Sequence, residues 1–101
     1  MAIASQLSDD GIELIIRVSG RFDFSAHQEF RDAYESLPAQ PERYRVDMRE
    51  TSYLDSSALG MLLLLRDHAG GDNSEVEIVN CNGDVRKILA ISNFEQLFTI
   101  H

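Results

Sequence analysis

The chain has 101 residues, 44% of them hydrophobic, and a formal net charge of −8. That length fits one domain with a modest core, and the acidity argues against contact with nucleic acid or anionic membrane, which both need basic patches. A single cysteine, Cys81, rules out an internal disulfide.

The amino-terminal stretch Met1-Ala2-Ile3-Ala4-Ser5-Gln6 lacks the basic and apolar regions of a signal peptide. The longest apolar run, Met61 to Leu65, is too short to cross a bilayer. The expectation is a cytoplasmic protein. Cys81 is read as a small, partly buried hydrophobe rather than a reactive thiol.

In chain order, Ile3–Leu7 alternates weakly and predicts an edge strand. Asp9-Asp10-Gly11 is a turn, and Ile12–Val18 is an Ile, Leu and Val-rich strand closing a hairpin. Arg21–Ser25 reads as a connection, with Ser25 capping a helix from Ala26 to about Leu37 that Pro38 and Pro41 end. Tyr44–Met48 alternates with period two and predicts a strand. Arg49–Ser52 leads from it into Tyr53-Leu54-Asp55-Ser56-Ser57-Ala58-Leu59-Gly60.

Here a polar triplet stands directly before an apolar run, which is a helix-start signal with Asp55 as cap. The helix is expected over Ser56–Ala69, ending at Gly70-Gly71. On a helical wheel Ala58, Leu62, Leu65 and Ala69 share the buried face, widened by Leu59 and Leu63, while Leu64 falls on the far side near Gly60, Asp67 and His68. Glu75–Val79 predicts a strand and Val85–Ile91 a third helix, with Val85, Ile88, Leu89 and Ile91 apolar. Leu97–Ile100 predicts a last strand. This order implies an α/β domain with a mixed, mostly parallel sheet of about five strands and about three helices largely on one face.

Few chemistries survive inspection. His27, His68 and His101 are far apart in sequence and match no zinc spacing. The glycines form no phosphate loop, and the only lysine is Lys87. No cofactor or metal is therefore expected. Ser56 and Ser57 have no histidine nearby in sequence, and nothing resembles a nucleophile elbow. A serine esterase would rest on these two hydroxyls alone, so a non-enzyme is expected. A serine can instead be a substrate: a phosphate adds about −1.5 to −2 charge and is tolerated at a helix start. The residues alone still favour Ser56 and Ser57 as ordinary first-turn positions.

A resemblance shifts that balance. Leu54-Asp55-Ser56-Ser57-Ala58-Leu59-Gly60, together with Gly20-Arg21-Phe22-Asp23, resembles the signature of STAS-domain proteins, specifically bacterial anti-sigma factor antagonists. The order of elements is similar over essentially the whole chain. The resemblance implies a STAS-like single domain over residues 1–101. It also implies partner switching: the unphosphorylated form binds an anti-sigma factor or serine kinase, phosphorylation of Ser56 releases it, and a PP2C-type phosphatase resets it. Asp23, Asp55, Ser57, Gly60, Met61 and Leu64 would form the partner-binding surface. Many members have Gly where this chain has Ala58. The family also implies an alternative, a structural subunit bound to a lipid-transport ABC ATPase.

Overall fold

The computed structural model describes residues 3–101. Met1 and Ala2, which belong to the stretch read for a signal peptide, lie outside the described residues. Strand β1 (Ile3–Leu7) turns back into β2 (Glu13–Phe22) through a polar hairpin. Asp10 Oδ1 accepts the Ser8 hydroxyl and the Ile12 N–H, and Gly11 takes φ +75°, which a side chain would resist.

A 3₁₀ turn (Phe24–Ala26) leads into helix α1 (His27–Glu35). Strand β3 (Arg43–Leu54), helix α2 (Ser56–Ala69), strand β4 (Val76–Val79), helix α3 (Gly83–Ile91) and strand β5 (Thr99–Ile100) follow. The sheet order is β1-β2-β3-β4-β5. Only the β1/β2 pair is antiparallel; the other pairs are parallel.

Period-two alternation decides what the sheet buries. Leu14, Ile16 and Val18 of β2, Tyr44, Val46 and Met48 of β3, and Val76 and Ile78 of β4 are buried in one cluster with Phe30, Leu62, Leu65 and Leu89 of the helices. The alternate residues carry ion pairs on the opposite face, Arg45 to Glu77 at 3.3 Å and Arg17 to Asp47 at 3.9 Å. The helices thus lie on one side of the sheet, as the pattern predicted.

Several boundaries differ from expectation. Arg21 and Phe22 belong to β2, and Arg49–Leu54 continues β3, because the two strands stay paired up to Phe22↔Leu54. The register shifts twice along this extension, each time with an extra residue in β3. Thr51 is buried there and donates its hydroxyl to the Val18 carbonyl at 2.8 Å. Its own carbonyl accepts the Asn82 side chain at 2.9 Å, tying the start of α3 to the end of β3.

Ser25 does not cap α1. Asp23 caps the 3₁₀ turn instead, and α1 stops at Glu35, two residues short of Leu37. Helix α3 starts at Gly83 with Asn82 as its cap, which accepts the Val85 N–H at 2.9 Å. Ile91, expected on the apolar face, is 73% exposed. The strand expected over Leu97–Ile100 shrinks to Thr99–Ile100, since Phe94–Gln96 forms a 3₁₀ turn that runs into Leu97 and Phe98.

Candidate functional site

The three central parallel strands end on one edge of the sheet, and the candidate site is built there. Leu54 anchors the end of β3 in the core. Asp55 then stays extended, with φ −117° and ψ −173°, which turns its side chain back over the first turn of α2. Its Oδ1 accepts the Ala58 N–H at 3.1 Å and the Ser57 hydroxyl at 2.6 Å. These two bonds, Ser57 first, hold the Asp55 carboxyl below its ordinary value, against the opposing effects of desolvation and, smaller, of Asp23.

The two adjacent serines therefore differ. Ser57 is half-buried with its hydroxyl committed to Asp55. Ser56 is exposed at the first position of the helix. The amino end of a helix favours added negative charge by about 0.3–1 kcal/mol at exposed positions. An anion on Ser56 would therefore not oppose the fold.

Asp23 occupies the same place on the neighbouring strand. Its Oδ1 accepts the Ser25 N–H at 3.0 Å and the Ser25 hydroxyl at 2.5 Å, and those bonds depress its pKa. The Arg21 guanidinium lies 3.5 Å from Asp23 and 4.4 Å above the Tyr53 ring. Phe22 and Leu54 are register partners, so Asp23 and Asp55 stand side by side on adjacent strands.

Along α2, Gly60 is half-buried, Leu63 is 38% exposed and Leu64 52% exposed, so with Ser56 and Asp67 they make one outward stripe. Two expectations for this helix are corrected. Met61, expected to face a partner, is 4% exposed and packs in the core. Leu63, expected to widen the buried face, is exposed. The reason is angular: at 100° per residue Met61 lies about 70° from the centre of the buried face, and Leu63 about 130°.

The histidines do not gather at Ser56. His68 packs its ring 4.9 Å from Tyr34, twelve residues along α2, and His101 lies 3.3 Å from Glu77. Among the described residues, no group of three or more His, Cys, Asp or Glu side chains could hold a metal. Burial pushes the Cys81 thiol upward, which disfavours the reactive thiolate. No helix among the described residues is long and apolar enough to cross a membrane.

A family model described as Mlab, STAS domain matches residues 5–99. The chain belongs to the STAS-domain family. A STAS-domain containing protein from Pseudomonas aeruginosa (strain UCBPP-PA14) is 66% identical over 100 residues, covering 99% of each chain. Among solved structures, the anti-sigma factor antagonist SpoIIAA in its unphosphorylated form has a TM-score of 0.76 at 17% identity, covering 99% of this chain and 87% of that one. Bacillus SpoIIAA in its phosphorylated form gives 0.74 at 17% identity, covering 99% and 91%. The STAS domain of a SulP transporter from Vibrio cholerae gives 0.68 at 17% identity, covering 93% and 76%. At such identity the likeness is one of fold.

Sequence reasoning missed the exposed Phe24, 70% exposed with its ring stacked 5.2 Å from that of His27. A signal existed. Phe22-Asp23-Phe24-Ser25-Ala26 has the same Asp-x-Ser-Ala pattern as Leu54-Asp55-Ser56-Ser57-Ala58, and so marks a second capped start of the same kind.

Proposed function

We propose that this STAS domain is a non-catalytic, partner-switching antagonist of an anti-sigma factor, controlled by phosphorylation of Ser56. The shared fold does not choose between such a role and that of a transporter domain, since neighbours of both kinds exist. The observation that carries the reading is the division of labour between the two serines. Ser57 donates its hydroxyl hydrogen bond to Asp55 as part of the helix cap, while Ser56 is left exposed on the same turn.

On this reading the unphosphorylated chain binds the anti-sigma factor, or a regulator that is itself a serine kinase. The kinase transfers the γ-phosphoryl group of ATP to the Ser56 hydroxyl, releasing ADP and the hydroxyl proton. A PP2C-type phosphatase hydrolyses the ester and restores the binding form. The added dianion keeps the helix start intact but must lose water to remain against a partner. A loss of about 3 kcal/mol in binding is more than a hundredfold in affinity.

The test is direct. The purified chain is incubated with ATP and the serine kinase encoded in its gene neighbourhood, and the modified residue is mapped by mass spectrometry. Phosphate is expected on Ser56, with Ser56→Asp releasing the partner and Ser56→Ala retaining it. Absence of phosphate together with equal partner affinity of both variants contradicts the reading. That result would instead fit a constitutive subunit of a transport ATPase.

A further inference from the structure

The two edges of the sheet are unlike. Strand β5 is two residues long, whereas β1 is five, Ile3-Ala4-Ser5-Gln6-Leu7, with only β2 beside it. The Ser8 N–H donates to the Glu13 carbonyl at 2.8 Å, and bonded pairs alternate with unbonded ones along an antiparallel ladder. In the same register stand Ala4↔Arg17 and Gln6↔Ile15, so Ala4 and Gln6 bond inward to β2. Ile3, Ser5 and Leu7 therefore aim their N–H and C=O groups at the open edge. Among the described residues, no backbone group of a loop or turn bonds to them. Sheets blunt such an edge with lysine, proline or a bulge. Strand β1 has none of these and carries no charge.

The flank of this edge carries charge of one sign. Ser5 is opposite the buried Ile16, so its side chain lies on the helix side of the sheet. A hollow there is lined by Ile3, Ser5, Glu29, Asp32, Ala33 and Ser36, whose only charges are two carboxylates. Glu29 Oε2 is buried and has no donor among the described residues. Asp32 Oδ1 accepts the neutral Gln28 amide at 2.8 Å, and Arg31 of the same helix is turned to Glu35 at 2.8 Å. A buried carboxylate oxygen without a donor is unfavourable, and a donor brought to it relieves that cost. On the opposite face Arg17 reaches Gln6 at 3.5 Å, which disfavours a further cation there.

We infer that β1 is a docking edge for an extended segment of a partner protein, with a lysine or arginine opposite Ser5 that reaches Glu29 and Asp32, and uncharged residues opposite Ala4 and Gln6. Backbone bonds to Ile3, Ser5 and Leu7 supply the pairing, and the alternation of charge supplies the selectivity. The apolar stem of the basic residue lies between Ile3 and Leu7, which flank Ser5 on the same face. A second copy of the chain fits less well. Pairing β1 with β1 brings Glu29 and Asp32 of both copies to one seam, between chains that each carry a net charge of −8. Strand β2 separates this edge from β3, whose end leads to Ser56, so docking here is independent of the state of that serine.

The experiment titrates the full isotope-labelled chain with two synthetic peptides, one alternating arginine with threonine and the other glutamate with threonine. The arginine peptide is expected to shift the amide signals of Ile3, Ser5 and Leu7 and to slow hydrogen exchange at Ser5 and Leu7 by about tenfold. The glutamate peptide should do neither. Ser5→Pro removes an outward N–H that an edge strand can spare, so it should abolish binding with Tm retained. Glu29→Gln with Asp32→Asn leaves the backbone edge intact and should weaken the arginine peptide about fivefold; it carries the same test if Ser5→Pro unfolds. Ser56→Asp should bind the peptide as wild type does, whatever the fate of the phosphorylation switch. Unchanged exchange at Ser5 and Leu7 overturns the proposal, and so does equal binding of the two peptides. Peptide binding lost in Ser56→Asp overturns it too, by moving the seat to the head of α2. Self-association of the free chain that Ser5→Pro abolishes makes the occupant a second copy, and likewise overturns it.

Discussion

On helix α2, Ala58, Leu62 and Leu65 are fully buried, whereas Leu63 and Leu64, lying between the last two, are 38% and 52% exposed. The four consecutive leucines are chemically identical, and only their angle about the helix axis separates them. The inner pair closes the core against β2 and β3. The outer pair lies on the same stripe as Ser56 and Gly60 and leaves much of its surface exposed. Apolar character on this helix therefore answers two demands, one of folding and one of association. The first turn joins them, because Asp55 caps the helix while Ser56 beside it stays exposed.

This contrast can be broken by substitution. Leu62→Ala should cost about 2–5 kcal/mol, from lost transfer energy and the cavity left behind. Denaturant unfolding measures it, and a loss under 1 kcal/mol would mean that the inner face is not the core. Ser56→Asp comes next. It should reduce partner affinity about a hundredfold, equivalent to about 2.7 kcal/mol, with Tm preserved. A comparable loss of Tm would show that the serine supports the fold rather than the interface.

Leu64→Ala should be nearly silent in stability, within about 0.5 kcal/mol, while weakening partner binding several-fold. Met61→Ala sharpens the same point from the other side. It should destabilise the fold by about 2–5 kcal/mol and change binding only through that loss. Identical behaviour of the two variants would erase the division between the faces.

The smallest effect is expected from the cap. Asp55 has a lowered pKa in the fold, so its stabilisation is present above its ordinary value of 3.8 and is lost as pH falls through the folded value. Asp55→Asn should therefore lower Tm at neutral pH, and the gap to wild type should narrow as the pH falls below 3.8 towards the folded value. A gap that stays constant with pH would mean that the carboxylate charge contributes nothing to the cap.

Much of this was legible in the chain itself. The alternation in Tyr44–Met48 and the apolar run after Asp55 name a strand and a helix, because periods of two and 3.6 leave different traces. Asp55 could be read as a cap, since its side chain needs only the N–H groups of the next turn. The extension of β3 through Arg49–Leu54 was not legible. Arg49, Glu50, Thr51 and Ser52 alternate poorly, and they are strand because β2 offers partners and Thr51 finds the Val18 carbonyl. Asp23 was likewise obscured as a cap, because Ser25 offers the same kind of oxygen two residues later.

The primary structure alone determined the element order, the covered face of the sheet and the start of α2, because each depends on side-chain period and on contacts within one helical turn. That Asp23 stands beside Asp55 at the head of α2 depended on how β2 and β3 pair. Residues 23 and 55 are far apart along the chain, and only the Phe22↔Leu54 register brings the two strand ends together.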